Sequence, residues 1–264
     1  MKSSDELKEI VKEKYGEIAK ASVSCGCSCC GTPQISDISN FSEDYKNKEG
    51  YNKDADLGLG CGIPTDFADI KKGDYVLDLG SGAGNDCFVA LSLTGDEGKV
   101  YGLDFTDEMI KKANLNKIVV GATNVEFVKG DIEDMPFEND FFDVVISNCV
   151  LNLVPNKELA FSNIFRVLKP NGHFCVSDIV LEGKLPKEIE SAAIMYAGCV
   201  AGALQKQDYL DAITKAGFKN VEIKKNRKIE LPDSNLLEFM SKEALENYRN
   251  SGAGIYSITV VGNK

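Results

Sequence analysis

The chain has 264 residues, 43% of them hydrophobic and 27% charged, enough for one large core or two small ones. Its formal net charge of −11 argues against nucleic acid or an anionic membrane as the main partner, because phosphates would be repelled. No apolar run reaches the roughly 18 residues of a membrane span, and "MKSSDELKEIVKEK" lacks the apolar stretch of a signal peptide, so a cytoplasmic location is expected.

Residues 5 to 20 carry Leu7, Ile10, Val11, Ile18 and Ala19 at helical spacing, which predicts an amphipathic helix. Residues 21 to 65 are rich in Ser, Gly, Asp and Asn and read as a long loop region, with one short helix near "SEDYKN". From residue 74 strands and helices alternate. "YVLDLG" (75–80), "KVYGLD" (99–104), "NVEFVKGD" (124–131), "FDVVISN" (142–148) and "GHFCVSD" (172–178) are the first five strands. Helices are predicted at "NDCFVALSL", at "DEMIKKANLNKIVV" with Thr106 as N-cap, and at "NKELAFSNIFRVLK". Further helices are expected at "EIESAAIMYAGCVAGAL", "KQDYLDAITKAG" and "NLLEFMSKEALENYRN", with strands at "NVEIKKN" (220–226) and "YSITVVG" (256–262). Seven strands, the first five separated by helical crossovers, imply an α/β, Rossmann-like, mostly parallel sheet covered by helices on both faces. Ligands of such sheets bind outside the carboxyl ends of the strands.

Three consecutive strand ends suit a nucleoside. The first reads Asp78-Leu79-Gly80-Ser81-Gly82-Ala83-Gly84, a glycine turn at a helix N-terminus, spaced GxGxG rather than the GxGxxG of dinucleotide sites. The second supplies Asp104, 24 residues past Gly80, an acid able to hold both ribose hydroxyls. The third supplies Asp131 and Ile132, an acid and an apolar residue able to flank an adenine.

The chain also holds nine cysteines, which a reducing compartment keeps as thiols available for ligation or redox chemistry. "SCGCSCCG" packs Cys25, Cys27, Cys29 and Cys30 into six positions, a C-x-C-x-C-C spacing that suits neither zinc knuckles nor the usual iron–sulfur runs. Cys149 follows the fourth strand, at the reactive edge of the sheet, and Cys61 sits between glycines in "LGLGCGIP". Cys199, alone, reads as a packing position on a helix of small residues; Cys87 and Cys175 read as buried core. The single histidine, His173, precedes a strand and reads as a surface or packing residue.

"VLDLGSGAG", "GLDFTDEMI", "GDIEDMPFENDFFDVVIS" and "RVLKPNG" resemble the successive motifs of class I S-adenosylmethionine-dependent methyltransferases over roughly residues 70 to 225. "LGCG", "SNCVLNL" and "GCVAGA" narrow the resemblance to the arsenite methyltransferase family. That resemblance implies S-adenosylmethionine on Asp78, Gly80, Ser81, Gly82, Gly84, Asp104, Phe105, Asp131, Ile132 and Asn148, with Phe105 standing where relatives commonly have Met. It implies trivalent arsenic on Cys61, Cys149 and Cys199, joined by Cys29 or Cys30 from the cluster and reset by an external thiol reductant of the thioredoxin or glutathione type. The soft element and the soft thiolates match. The expected organisation is an N-terminal helix and Cys-rich arm (1–65), a methyltransferase core with the arsenic site (66–226), and a C-terminal helix with the closing strand of the same sheet (227–264). The alternative is a methyltransferase for an organic small molecule, with incidental cysteines.

Overall fold

The computed structural model describes residues 4–21, 43–187, 189, 200, 202–237 and 240–264. Most of the predicted helix over 188–204, and the cysteines at 25, 27, 29, 30 and 199 with their expected roles, lie outside the described residues. Helix α1 (Ser4–Ala21) precedes β1 (Tyr75–Leu79), α2 (Asn85–Thr94), β2 (Lys99–Asp104), α3 (Asp107–Val120), β3 (Val125–Lys129), β4 (Phe142–Asn148), α4 (Lys157–Val167) and β5 (Leu168–Glu182). Then follow α5 (Lys206–Lys215), β6 (Lys219–Ile229), the one-turn α6 (Asp233–Leu236), α7 (Lys242–Asn250) and β7 (Gly254–Asn263).

The strands form a seven-stranded sheet ordered β3-β2-β1-β4-β5-β7-β6, parallel except for β7, which runs antiparallel to both neighbours. The order reverses between β1 and β4, and that is where such sheets open a crevice at their carboxyl ends. Side chains alternate across the sheet with period two. Leu77 and Leu79 pack with Phe161 of α4 and Tyr209 of α5, whereas Val76 packs with Cys87 and Ala90 of α2 on the other face. Both faces being covered, the inner strands are nearly continuous apolar runs. Cys87 and Cys175 are buried in the second layer, as expected of core residues.

Four local expectations are corrected. "SEDYKN" forms no helix; Lys46 N donates to the Asp44 carboxylate at 2.9 Å, and this local side-chain bond starts a turn instead. The helix expected over 235–250 is interrupted, because the Ser241 hydroxyl accepts from Ala244 N at 3.2 Å and caps α7 afresh. Thr106 occupies the N-cap of α3 but its hydroxyl makes no capping bond. Strand β5 also outruns its predicted span, since β7 pairs with it from His173 to Glu182.

Candidate active site

The glycine turn after β1 is tied to the end of β2. Gly80 N and Ser81 N both donate to the Leu103 carbonyl, at 2.7 and 3.0 Å. The Asp104 carboxylate then accepts from Gly82 N at 3.0 Å and Thr106 N at 2.8 Å. Burial pushes its pKa up while these N–H donors pull it back. Asp104, rather than Asp78, therefore orders the glycine loop. Asp78 instead accepts the Cys87 thiol proton at 3.3 Å, in a wholly buried setting that raises its pKa well above the carboxylate norm, Asp86 adding like charge.

A single cavity takes in Asp78, Gly80, Ser81, Gly82, Asp104, Phe105, Asp131, Ile132 and Asn148. Gly84 is the exception among the predicted cofactor residues. It has φ +98 at the N-cap of α2, where a Cβ would meet the Phe127 ring at 2.7 Å, so it serves the packing behind the loop. The buried Ser81 hydroxyl has no hydrogen-bond partner among the described residues and lines the cavity. An unpartnered hydroxyl and a set of carboxylates fit a ligand that is both polar and cationic, as S-adenosylmethionine is.

Sequence reasoning missed the roof of this cavity. Lys8, Val11 and Tyr15 of α1 line it, and Lys8 pairs with Asp131 at 2.6 Å and with Glu133. Their spacing at i, i+3 and i+7 marks one helix face, which was the available signal. Tyr45 and Asp86 were also missed. The Tyr45 hydroxyl donates to Asp86 at 2.6 Å, and burial lifts the Asp86 pKa to about 6 against the hydrogen bonds from Tyr45 and Asn148. Tyr45 lies in a stretch without periodicity, which gave no signal.

Asn148 lines the cavity, but its amide is engaged by protein. Its Oδ1 accepts from Cys61 N at 3.0 Å and Gly62 N at 3.3 Å, and its Nδ2 reaches Tyr45 Oη and the Gly62 carbonyl, both at 2.9 Å. Gly60 permits this approach, because a Cβ there would lie 2.5 Å from the Asn148 amide. Asn148 is thus a positioning residue for the Cys61 loop. The Cys61 carbonyl is held from the other side by Ser257 Oγ of β7 at 2.6 Å.

Cys149 follows Asn148 with φ +62, a left-handed conformation uncommon for a residue with a Cβ, and its N–H donates to the Ser177 carbonyl at 2.7 Å. The turn brings its thiol to that of Cys61 and to the Asp178 carboxylate, with the three ligand atoms within 4.8 Å of one another. All three residues are buried, and the thiols sit in an apolar cluster with Ile179, Leu231 and Ile255. Asp178 was not singled out from sequence. Burial lifts its pKa to about 7, opposed by the Ile179 N–H, the Lys157 charge and the Tyr209 hydroxyl. His173 lies at the opposite, amino end of the sheet, its Nε2 facing the Ala68 carbonyl.

Comparison with known proteins places the chain in a family. A family described as "Methyltransferase domain" matches residues 70–217. The arsenite methyltransferase of Halobacterium salinarum is 38% identical over 272 residues, covering 98% of this chain and 67% of that protein. The chain belongs to the arsenite methyltransferase family. The mouse arsenite methyltransferase is 31% identical over 82% of this chain and 59% of its own length, so this family member spans about six-tenths of that relative. A crystal structure of CrArsM, an arsenic (III) S-adenosylmethionine methyltransferase from Chlamydomonas reinhardtii, superposes with a TM-score of 0.65 at 30% identity, covering 89% of this chain and 75% of that one. No helix among the described residues is long and apolar enough to cross a membrane.

Proposed function

We propose that this chain transfers a methyl group from S-adenosylmethionine to trivalent arsenic. The observation that carries the reading is the convergence of Cys61 and Cys149, 88 positions apart, on one buried point beside the cavity. Asp104 would hold the ribose hydroxyls, Asp131 and Ile132 the adenine with Phe105 beside it, and Ser81 with the glycine turn the methionine portion. Asp86 would face the cationic part with negative charge, beside the buried Asp78 carboxyl. Bound there, S-adenosylmethionine supplies an electrophilic sulfonium methyl.

Arsenite enters as a hydroxide, and each thiol that replaces a hydroxyl releases one water. Cys61 and Cys149 supply two soft sulfurs, and Cys199 is the proposed third. Arsenic held by three sulfurs is pyramidal, and its lone pair can attack the methyl in line without a base taking a proton from it. Most of the acceleration then comes from holding the two reactants together. Cys29 or Cys30 is proposed to take part in thiol handover and in the disulfide that returns electrons to arsenic, with a thioredoxin- or glutathione-type reductant reopening it. A cytoplasmic location belongs to the same proposal.

The test is arsenite-dependent formation of S-adenosylhomocysteine. Cys61→Ser and Cys149→Ser are expected to lose it by at least about a hundredfold while keeping cofactor affinity. Turnover that persists without arsenite on an organic acceptor, unaffected by these substitutions, refutes the proposal.

A further inference from the structure

The thiol pair has a third neighbour that the arsenic reading leaves unused. Asp178, on β5, directs a carboxylate oxygen at Cys61 and Cys149 from a third segment of the chain. Its position is fixed rather than incidental. Oδ1 accepts from Ile179 N at 3.0 Å, and Oδ2 accepts from the fully buried Tyr209 hydroxyl of α5 at 3.2 Å. The Lys157 ammonium lies close enough to act on Asp178, and donates to the Val154 carbonyl at 3.2 Å.

A carboxylate is a hard donor and a poor choice for trivalent arsenic, which prefers sulfur. Two thiolates with one carboxylate instead suit a borderline divalent ion of filled d shell. Tetrahedral bonds of about 2.3 Å to sulfur and about 2.0 Å to oxygen set ligand separations of about 3.8 Å for S···S and about 3.5 Å for S···O. The observed limit of 4.8 Å leaves at most about 1.0 Å of closure for S···S and about 1.3 Å for S···O to reach those edges. Two thiolates, one carboxylate and a dication carry one net negative charge, which Lys157 can offset.

We propose that Cys61, Cys149 and Asp178 form a binding site for a thiophilic divalent cation of the zinc–cadmium class. Loading releases the two thiol protons, and any proton Asp178 carries, to solvent and changes no oxidation state. Resting on the proposed function, such an ion occupies two of the three arsenic-binding sulfurs and, having no lone pair to methylate, blocks turnover as a dead end.

The test uses the full-length chain with Cys25, Cys27, Cys29 and Cys30 changed to serine and a non-thiol reductant present. Cadmium is titrated and followed by its thiolate charge-transfer absorption. One equivalent per chain is expected, lost in Cys61→Ser or Cys149→Ser and weakened at least about tenfold in Asp178→Asn. No stoichiometric binding overturns the proposal, as does equal affinity in Asp178→Asn. The cadmium-113 resonance reads the donors without any change to the site: a mixed sulfur–oxygen shift supports the proposal and an all-sulfur shift overturns it. Methylation is assayed separately on metal-free protein, where absence of arsenite-dependent turnover refutes the function but not the cation site. Zinc inhibition competitive with arsenite supports the shared site, and zinc inhibition that arsenite cannot relieve overturns the sharing.

Discussion

Acidification probes the charge cluster that faces the cavity, and Asp86 gives the clearest sign. Its carboxyl ordinarily titrates near 3.8, and burial in the folded chain lifts this to about 6. Below 3.8 both states hold the proton; between 3.8 and 6 only the folded state does, so unfolding releases it. Stability from this group is therefore greatest in acid, falls as pH rises through that window, and is flat above 6. A gap of about two pH units at about 1.4 kcal/mol per unit makes the change ~3 kcal/mol, an upper figure because Asp78 titrates in the same sense. Exposed carboxylates pull the other way: Asp69, Asp107 and Glu108 have lowered pKa values through hydrogen bonds from Lys71, Lys129 and Lys20. The group's own contribution is thus read against Asp86→Asn, whose Oδ1 can still accept from Tyr45. Urea unfolding of both proteins at pH 5 and pH 7 covers only the upper part of that window and should show wild type losing about 1.3 kcal/mol more than the variant as pH rises. S-Adenosylmethionine, whose positive charges favour ionised carboxylates, should in turn bind up to about tenfold more weakly at pH 5 than above 6. Identical pH slopes for wild type and variant, or a cofactor affinity independent of pH, would falsify this electrostatic account.

Other expectations concern single residues. At most buried sites Ala is more stable than Gly, but the positive φ of Cys149 reverses the order: Cys149→Gly should exceed Cys149→Ala by about 1 kcal/mol in denaturant unfolding. Asn148→Ala removes the acceptor of Cys61 N and Gly62 N and should destabilise the protein by about 2 to 3 kcal/mol. The same variant should lower arsenite affinity more than cofactor affinity, and equal losses in parallel binding titrations count against its positioning role. Lys8→Met breaks a partly exposed pair and should change stability by less than about 1 kcal/mol, with a measurable rise in cofactor Kd because α1 loses its tie to Asp131.

The residues at the strand ends that line the cavity were largely readable in the chain because the signal is local. The glycine turn, Asp104 and Asp131 each sit at the end of a strand that the apolar pattern marks, and the parallel topology sends those ends to one edge. Gly84 lies off the cavity lining, where the Phe127 ring requires a residue without a Cβ; a glycine in such a turn serves either ligand approach or packing, and the sequence does not separate the two. Asn148 lines the cavity as expected, and its amide also binds the neighbouring Cys61–Gly62 backbone, a partner that no spacing announces. The resemblance named Cys61 and Cys149 as arsenic ligands, but their meeting depends on contacts that no spacing encodes: the Asn148 amide, the Ser257 hydroxyl and the left-handed turn at Cys149.

By itself the sequence determined the layered α/β sheet, the number and order of its strands and the sheet edge that carries the cavity, because burial of alternating side chains imposes short-range periodicity. Only tertiary structure decided what surrounds that edge. Lys8, Tyr45, Asp86 and Asp178 come from four separate elements and gain their character from desolvation and from partners far along the chain. Burial is a property of the folded assembly, and so are the raised pKa values of Asp86 and Asp178 and the carboxylate set against two thiols.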